Sequence, residues 1–147
     1  MRIDALLCLQ LLQVAILLLH DWVPLGPLNN LAAIRTSRTT RELLLGTVVS
    51  SLLPAFGLGL SLWYWRAGWP GWVRHYLLFA YGFLFIGELE AWWVPYWIWP
   101  QPKRSEEYAR AYDQTHACLP TRNGIRPNTL HVLLHAMTVA TLILLAL

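Results

Sequence analysis

Two carboxyl groups and a set of histidines lie inside stretches otherwise too apolar to hold them. Glu88 and Glu90 fall within the apolar run 72–99, and His131 and His135 stand four residues apart in the run 129–147. At that spacing the two imidazoles share one helix face, and Asn128 and Thr138 extend the polar stripe. His20 and Asp21 close the run 3–20, with Gln10 and Gln13 on the same face as His20. A charged group in hydrocarbon costs roughly 2.5 to 3.5 kcal/mol on insertion scales, so each of these residues needs a reason to be there. Acids and imidazoles in a low dielectric have displaced proton affinities, the condition for general acid–base work near neutrality.

Geometry limits which glutamate can take part. At about 100° per residue the two carboxyls diverge by roughly 200°, so both cannot face one pocket unless the helix is distorted. Pro95, five residues after Glu90, removes a backbone donor and supplies a cause for distortion. On a straight helix begun at Trp72, Glu88 lies about 24 Å along the axis. His131 and His135 could instead hold a metal ion or haem, but a complete site needs further ligands. No cofactor is otherwise expected.

These groups require membrane-embedded elements to position them. Of 147 residues, 56% are hydrophobic and 13% charged, and the mean hydropathy is +0.43, too little polar surface to coat a water-soluble domain of this size. Nine tryptophans and six tyrosines gather near the ends of apolar runs, as in the aromatic belts at lipid headgroup depth. Four runs, 3–20, 42–65, 72–99 and 129–147, are long enough to cross ~30 Å of hydrocarbon. The expected fold is an all-α integral membrane protein, a single domain 1–147 built as a bundle of four transmembrane helices. A short surface helix at 105–116 is expected in the long connection 100–128, where Tyr108 and Tyr112 are four residues apart.

Local signals mark the boundaries. Thr39-Thr40-Arg41-Glu42 reads as a capping box that starts the second helix, and Pro127-Asn128 as a chain stop and N-cap before the fourth. Thr47, Ser51, Pro54 and Ser61, with Gly46, Ser50 and Gly57 beside them, form a small-residue stripe suited to close helix packing and a kink. The segment 1–19 carries an acidic residue and no Ala-x-Ala site, and reads as a retained helix rather than a signal peptide. Cys8 and Cys118 lack any paired spacing and read as free thiols.

Charge sets the expected orientation. Arg35, Arg38, Arg41, Lys103, Arg104, Arg110, Arg122 and Arg126 lie in the first and third connections, while Arg2, Arg66 and Arg74 lie opposite. The positive-inside rule therefore puts both long connections in the cytoplasm and both termini on the non-cytoplasmic side. The basic balance is explained by orientation, and nucleic-acid binding is not expected.

Folded up and down, the helices bring His20, Asp21, Glu88 or Glu90, His131 and His135 to the cytoplasmic half. Trp92 and Asn128 stand beside them, with His116, Asn123 and Arg126 overhead as candidate substrate-binding residues. The expected function is a membrane-embedded enzyme acting on a hydrophobic or lipid-like substrate, an isomerase, cyclase or hydrolase with a glutamate and a histidine as acid and base. Glu88 within one helix and the string His135-Ala136-Met137-Thr138 in a later one resemble residues of the emopamil-binding family of sterol isomerases and sterol-binding proteins. That resemblance implies chemistry on, or binding of, a sterol-like molecule and carries no catalytic assignment. The alternatives are a proton-linked transporter, which at this size would need a homodimer, a lipid- or sterol-binding protein, and a metal- or haem-binding membrane subunit. Membrane lipids and a hydrophobic small molecule are the expected partners.

Overall fold

The computed structural model describes residues 2–147, and its regular elements are helices, with one isolated antiparallel bridge between Arg122 and Ile125. Four long helical segments make the body: α1 (Arg2–Leu19), α3 (Thr40–Trp63), a continuous segment Gly71–Trp97 and α7 (Thr129–Ala146). The segment Gly71–Trp97 consists of α4 (Gly71–Glu88), a π-helical turn (Leu89–Trp93) and α5 (Val94–Trp97). Neighbours pack in the cycle α1, α3, α4, α7 and back to α1, a closed four-membered ring. Among the described residues three helices, Thr40–Trp63, Gly71–Trp97 and Thr129–Ala146, are long and apolar enough to cross a membrane. The apolar stretch of the first helix, Ile3–Leu19, is shorter.

Burial is inverted relative to a water-soluble bundle. Gln10, Gln13, Ser61, Thr138 and Thr141 are fully buried, while Val49, Leu52, Phe56, Phe79, Phe83 and Ile86 are each more than half exposed. Exposed Trp63, Trp65 and Trp72 gather at the end of the ring that carries the termini, and Trp97 and Trp99 at the opposite end.

The helix starts form for the reasons legible in the chain. Thr39 accepts from the Glu42 N–H while the Glu42 carboxylate accepts from the Thr39 N–H, completing the capping box. Asn128 caps α7 by accepting from the His131 N–H. The small-residue stripe of α3 is buried at Thr47, Ser51, Pro54 and Ser61. At Gly57 a Cβ would come within 2.8 Å of Leu77 Cδ2, so this glycine sets the close approach of α3 to α4. Arg74 closes the far end, donating to the Leu145 and Ala146 carbonyls at 2.7 and 2.9 Å and so satisfying the last turn of α7.

The connections between α1 and α3 and between α5 and α7 pack together on the other end of the ring. The first contains a 3₁₀ turn, Gly26–Leu28, and a short helix α2 (Leu31–Ser37), neither of them expected from the sequence. Asn29 donates to the His20 and Val23 carbonyls and accepts from the Leu25 N–H, tying this connection to the end of α1. The second contains α6 (Pro102–Tyr112), which packs against α2. This helix begins three residues earlier than the expected 105–116 because Pro102 suits the first helical turn, and it ends at Tyr112. Ile34, Leu43, Trp92, Tyr96, Tyr108, Ala111, Tyr112 and Ile125 form the apolar core beneath these connections.

Candidate functional site

The polar stripe of α7 is buried along its length: Asn128, His131, His135, Thr138 and Thr141 all face into the ring. Asn128 does more than cap. Its Oδ1 accepts from the His131 backbone N–H at 3.1 Å and lies 2.5 Å from His131 Nδ1, while its Nδ2 donates to the Leu28 carbonyl. An amide oxygen can only accept, so Nδ1 carries a proton, and in the neutral form of the His131 ring the lone pair is on Nε2. His135 is held the other way round. Trp93 Nε1, which can only donate, lies 3.0 Å from His135 Nδ1, so the His135 proton is on Nε2. The stripe thus offers one ring with a free acceptor nitrogen and one with a free donor.

His131 is enclosed by aromatic rings. Trp92 lies over it, tilted by 35° at 4.3 Å between centroids, Tyr112 meets it at 5.1 Å and His20 edge-on at 5.7 Å. Burial pushes the Tyr112 and Tyr108 phenols above their ordinary range, so both rings on α6 are neutral hydroxyls. Tyr108 donates to the Ala91 carbonyl at 3.1 Å.

Pro95 explains how Trp92 arrives here. It has no N–H for the carbonyl of Ala91, and the helix loosens into the π turn Leu89–Trp93. The freed carbonyls are taken by α6: Arg104 donates to Glu90 O at 2.6 Å and Tyr108 to Ala91 O. One distortion therefore docks α6 and turns Trp92 inward. It does not bring Glu90 with it. Glu90 is exposed and stands outside the cavity described below, whereas Glu88 is buried.

Glu88 is positioned by a chain of hydroxyls and amides. Its Oε1 accepts from Thr138 Oγ1 at 2.8 Å, Thr138 Oγ1 accepts from Gln13 Nε2 at 2.9 Å, and Gln13 Oε1 accepts from Thr141 at 3.0 Å. Glu88 Oε2 is buried with no hydrogen-bond partner, as is Asp21 Oδ1. Farther down the ring the Gln10 amide and the Tyr81 hydroxyl are likewise buried without partners.

Glu88, His20, Asp21, His131, His135 and Trp92 all line one cavity of about 320 Å³. His20 Nδ1 meets the Ile16 carbonyl at 2.9 Å, so it donates, and Nε2 faces Asp21 Oδ1 at 3.4 Å. The lower wall is apolar: Leu17, Leu53, Leu84 and Leu134. Exposed Gly46 and Val49 of α3 and Phe83 and Gly87 of α4 also line it, so the cavity reaches the surface between these two helices.

Three expected site residues serve the connections instead. His116 Nδ1 pairs with Thr129 Oγ1, and Arg126 donates to the Asp113 carbonyl. Asn123 and Gly124, both with positive φ, make the tight turn between Arg122 and Ile125, and Asn123 Nδ2 donates to the Tyr96 carbonyl. These bonds, between residues 13 to 27 positions apart, fix the shape of the connection, and none of the three lines the cavity. Conversely, Arg38, Tyr108 and Tyr112 line it and were read from the sequence only as an orientation charge and a surface-helix pair. Among the described residues no three of His, Cys, Asp and Glu are arranged to hold a metal ion.

No protein-family model, no curated protein and no solved structure matches this chain, and the likeness of Glu88 and residues 135–138 to the emopamil-binding family extends to no family-level match.

Proposed function

We propose that the chain is a four-span membrane protein whose cavity carries out general acid–base chemistry on a hydrophobic, lipid-like substrate. Glu88 is the acid, His131 Nε2 the base, and the His135 Nε2–H a donor that orients the substrate. The single observation that supports this reading is the convergence of a carboxyl and two oppositely protonated imidazoles in a cavity that opens sideways between α3 and α4, on the apolar flank. A substrate reaching that opening would come from the hydrocarbon rather than from water. Inverted burial and the tryptophans at both ends favour insertion, with α1 as the fourth span crossing with little tilt.

In this reading the end bearing α2 and α6 is cytoplasmic. A Glu107→Cys variant lacking Cys8 and Cys118, treated from outside intact cells with a membrane-impermeant maleimide, should stay unlabelled until the cells are opened. Labelling before lysis would reverse the orientation.

Mass spectrometry of lipids and small molecules on gently purified protein tests the function. The reading expects one amphiphile enriched over bulk lipid and absent from the Leu134→Trp variant, which fills the apolar wall. Equal, bulk-like lipid in both would count against it.

A proton-linked transporter is the second reading, favoured by the buried polar column of Gln10, Gln13, Thr138 and Thr141 that continues from Glu88 toward the opposite end.

A further inference from the structure

The groups lining the cavity divide into an apolar wall and a polar end, and several of the polar groups, Arg38 among them, have no role in the chemistry assigned above. Arg38 follows α2, just before the capping box of α3, and is half-buried. It lines the cavity with His20, Asp21, Tyr108, Tyr112 and His131. A guanidinium is charged at every physiological pH and presents a fork of donors. Among the described residues Arg38 makes no side-chain hydrogen bond and no ion pair.

None of the nearby carboxylates forms a contact ion pair with it. Asp21 Oδ1 lies 3.4 Å from His20 Nε2, Glu88 accepts from Thr138, and the exposed Glu42, held by Thr39 in the capping box, attracts Arg38 only through space. The remaining wall near Arg38 consists of the neutral phenols of Tyr108 and Tyr112 and the imidazole rings of His20 and His131. A half-buried cation at the polar end of a largely apolar cavity, with no hydrogen-bonded or contact ion-pair partner in the chain, is complementary to an anion brought by the ligand.

We propose that the cavity binds an amphiphile with an anionic head group of the phosphate or carboxylate class, seated on Arg38, with its hydrocarbon part leaving between α3 and α4. The size of the cavity agrees with this. About 320 Å³ holds a head group and the first part of one chain but not a whole two-chain lipid, so the tail must occupy the opening lined by Val49 and Phe83. This rests on the proposed function for the site, and it adds the charge and orientation of the ligand.

The test uses the full chain in uncharged detergent, followed by native mass spectrometry. The probes are oleoyl lysophosphatidate, oleate, monooleoylglycerol and inorganic phosphate. The proposal expects one of the two anionic amphiphiles to bind about tenfold tighter than monooleoylglycerol. It expects Arg38→Gln to remove that advantage, Arg38→Lys to restore part of it, and monooleoylglycerol to bind wild type and both variants alike. Equal binding of monooleoylglycerol and both anionic amphiphiles would overturn the anionic head group and leave the lipid-like substrate standing. Binding of no amphiphile at all would overturn both. Inorganic phosphate binding as tightly as lysophosphatidate would assign the site to a free anion and overturn the amphiphile. Should Arg38→Gln not fold, the comparison of the four probes on wild type decides alone.

Discussion

Glu88→Gln is expected to lower turnover of the cavity's substrate by about 10²- to 10⁴-fold, the usual contribution of a positioned acid or base, while leaving the fold intact. The reason lies in the hydrogen bonds. A glutamine oxygen can still accept from Thr138, 2.8 Å from Glu88 Oε1 in the native protein, so the chain from Gln13 through Thr138 persists. What is lost is the capacity to carry and release a proton at Oε2, an oxygen with no partner in the protein. Single-turnover kinetics on the molecule recovered with the purified protein would measure the loss, and thermal unfolding in the same detergent would separate it from instability. Glu90→Gln should be silent in both, since that side chain is exposed outside the cavity. If Glu90→Gln proved as damaging as Glu88→Gln, the assignment of the acid would be wrong.

Asn128→Ala is expected to be the most destabilising single change at the site. It removes the cap of α7, the oxygen that holds His131 Nδ1 and the donor to the Leu28 carbonyl, all in a fully enclosed position. A lost cap costs about 1 kcal/mol and the buried His131 Nδ1 left unpaired about 1 to 3, so a loss of roughly 2 to 4 kcal/mol is expected, or a fall in Tm of about 5 to 15 °C. Asn128→Asp keeps an acceptor for both His131 contacts and should recover the cap, but it sets a carboxylate oxygen against the Leu28 carbonyl and so should restore only part of the lost stability. A Tm within about 2 °C of wild type for Asn128→Ala would mean that α7 and His131 are held by something else.

How much of this was legible in the chain depended on the range of the interaction involved. The capping box at Thr39 and Glu42, the Asn128 cap and the common face of His131 and His135 are decided within one or two turns, and the structure has all three. The distortion at Pro95 was also foreseeable, because a missing donor is a property of one residue. Its consequence was not, since the freed Glu90 and Ala91 carbonyls are answered by Arg104 and Tyr108 from another helix. For the same reason the sequence left Glu88 and Glu90 undecided: the choice rests on Thr138 and Gln13, 50 and 125 positions from their respective partners.

Loop residues were harder still. His116, Asn123 and Arg126 have the side chains of a binding site, but Asn123 stands in a two-residue turn whose backbone needs it, and Arg126 and His116 bond to the connection's own backbone and to Thr129. Arg38 was counted only as one of several basic loop residues. Nothing local distinguishes it from Arg35 or Arg41, which are exposed and line no cavity. Its position at the polar end of the cavity follows from the packing of α2 against α6.

The most direct test of an acid–base site fed from the bilayer is to follow protons. The protein would be reconstituted in vesicles of the lipids it is purified with, placed in D₂O, and the lipids analysed by mass spectrometry after extraction into ordinary water. With wild type, one lipid species should change mass or gain carbon-bound deuterium, and with Glu88→Gln that change should vanish. No altered species with wild type, or the same alteration with Glu88→Gln, would contradict proton transfer by Glu88 to a membrane-borne substrate.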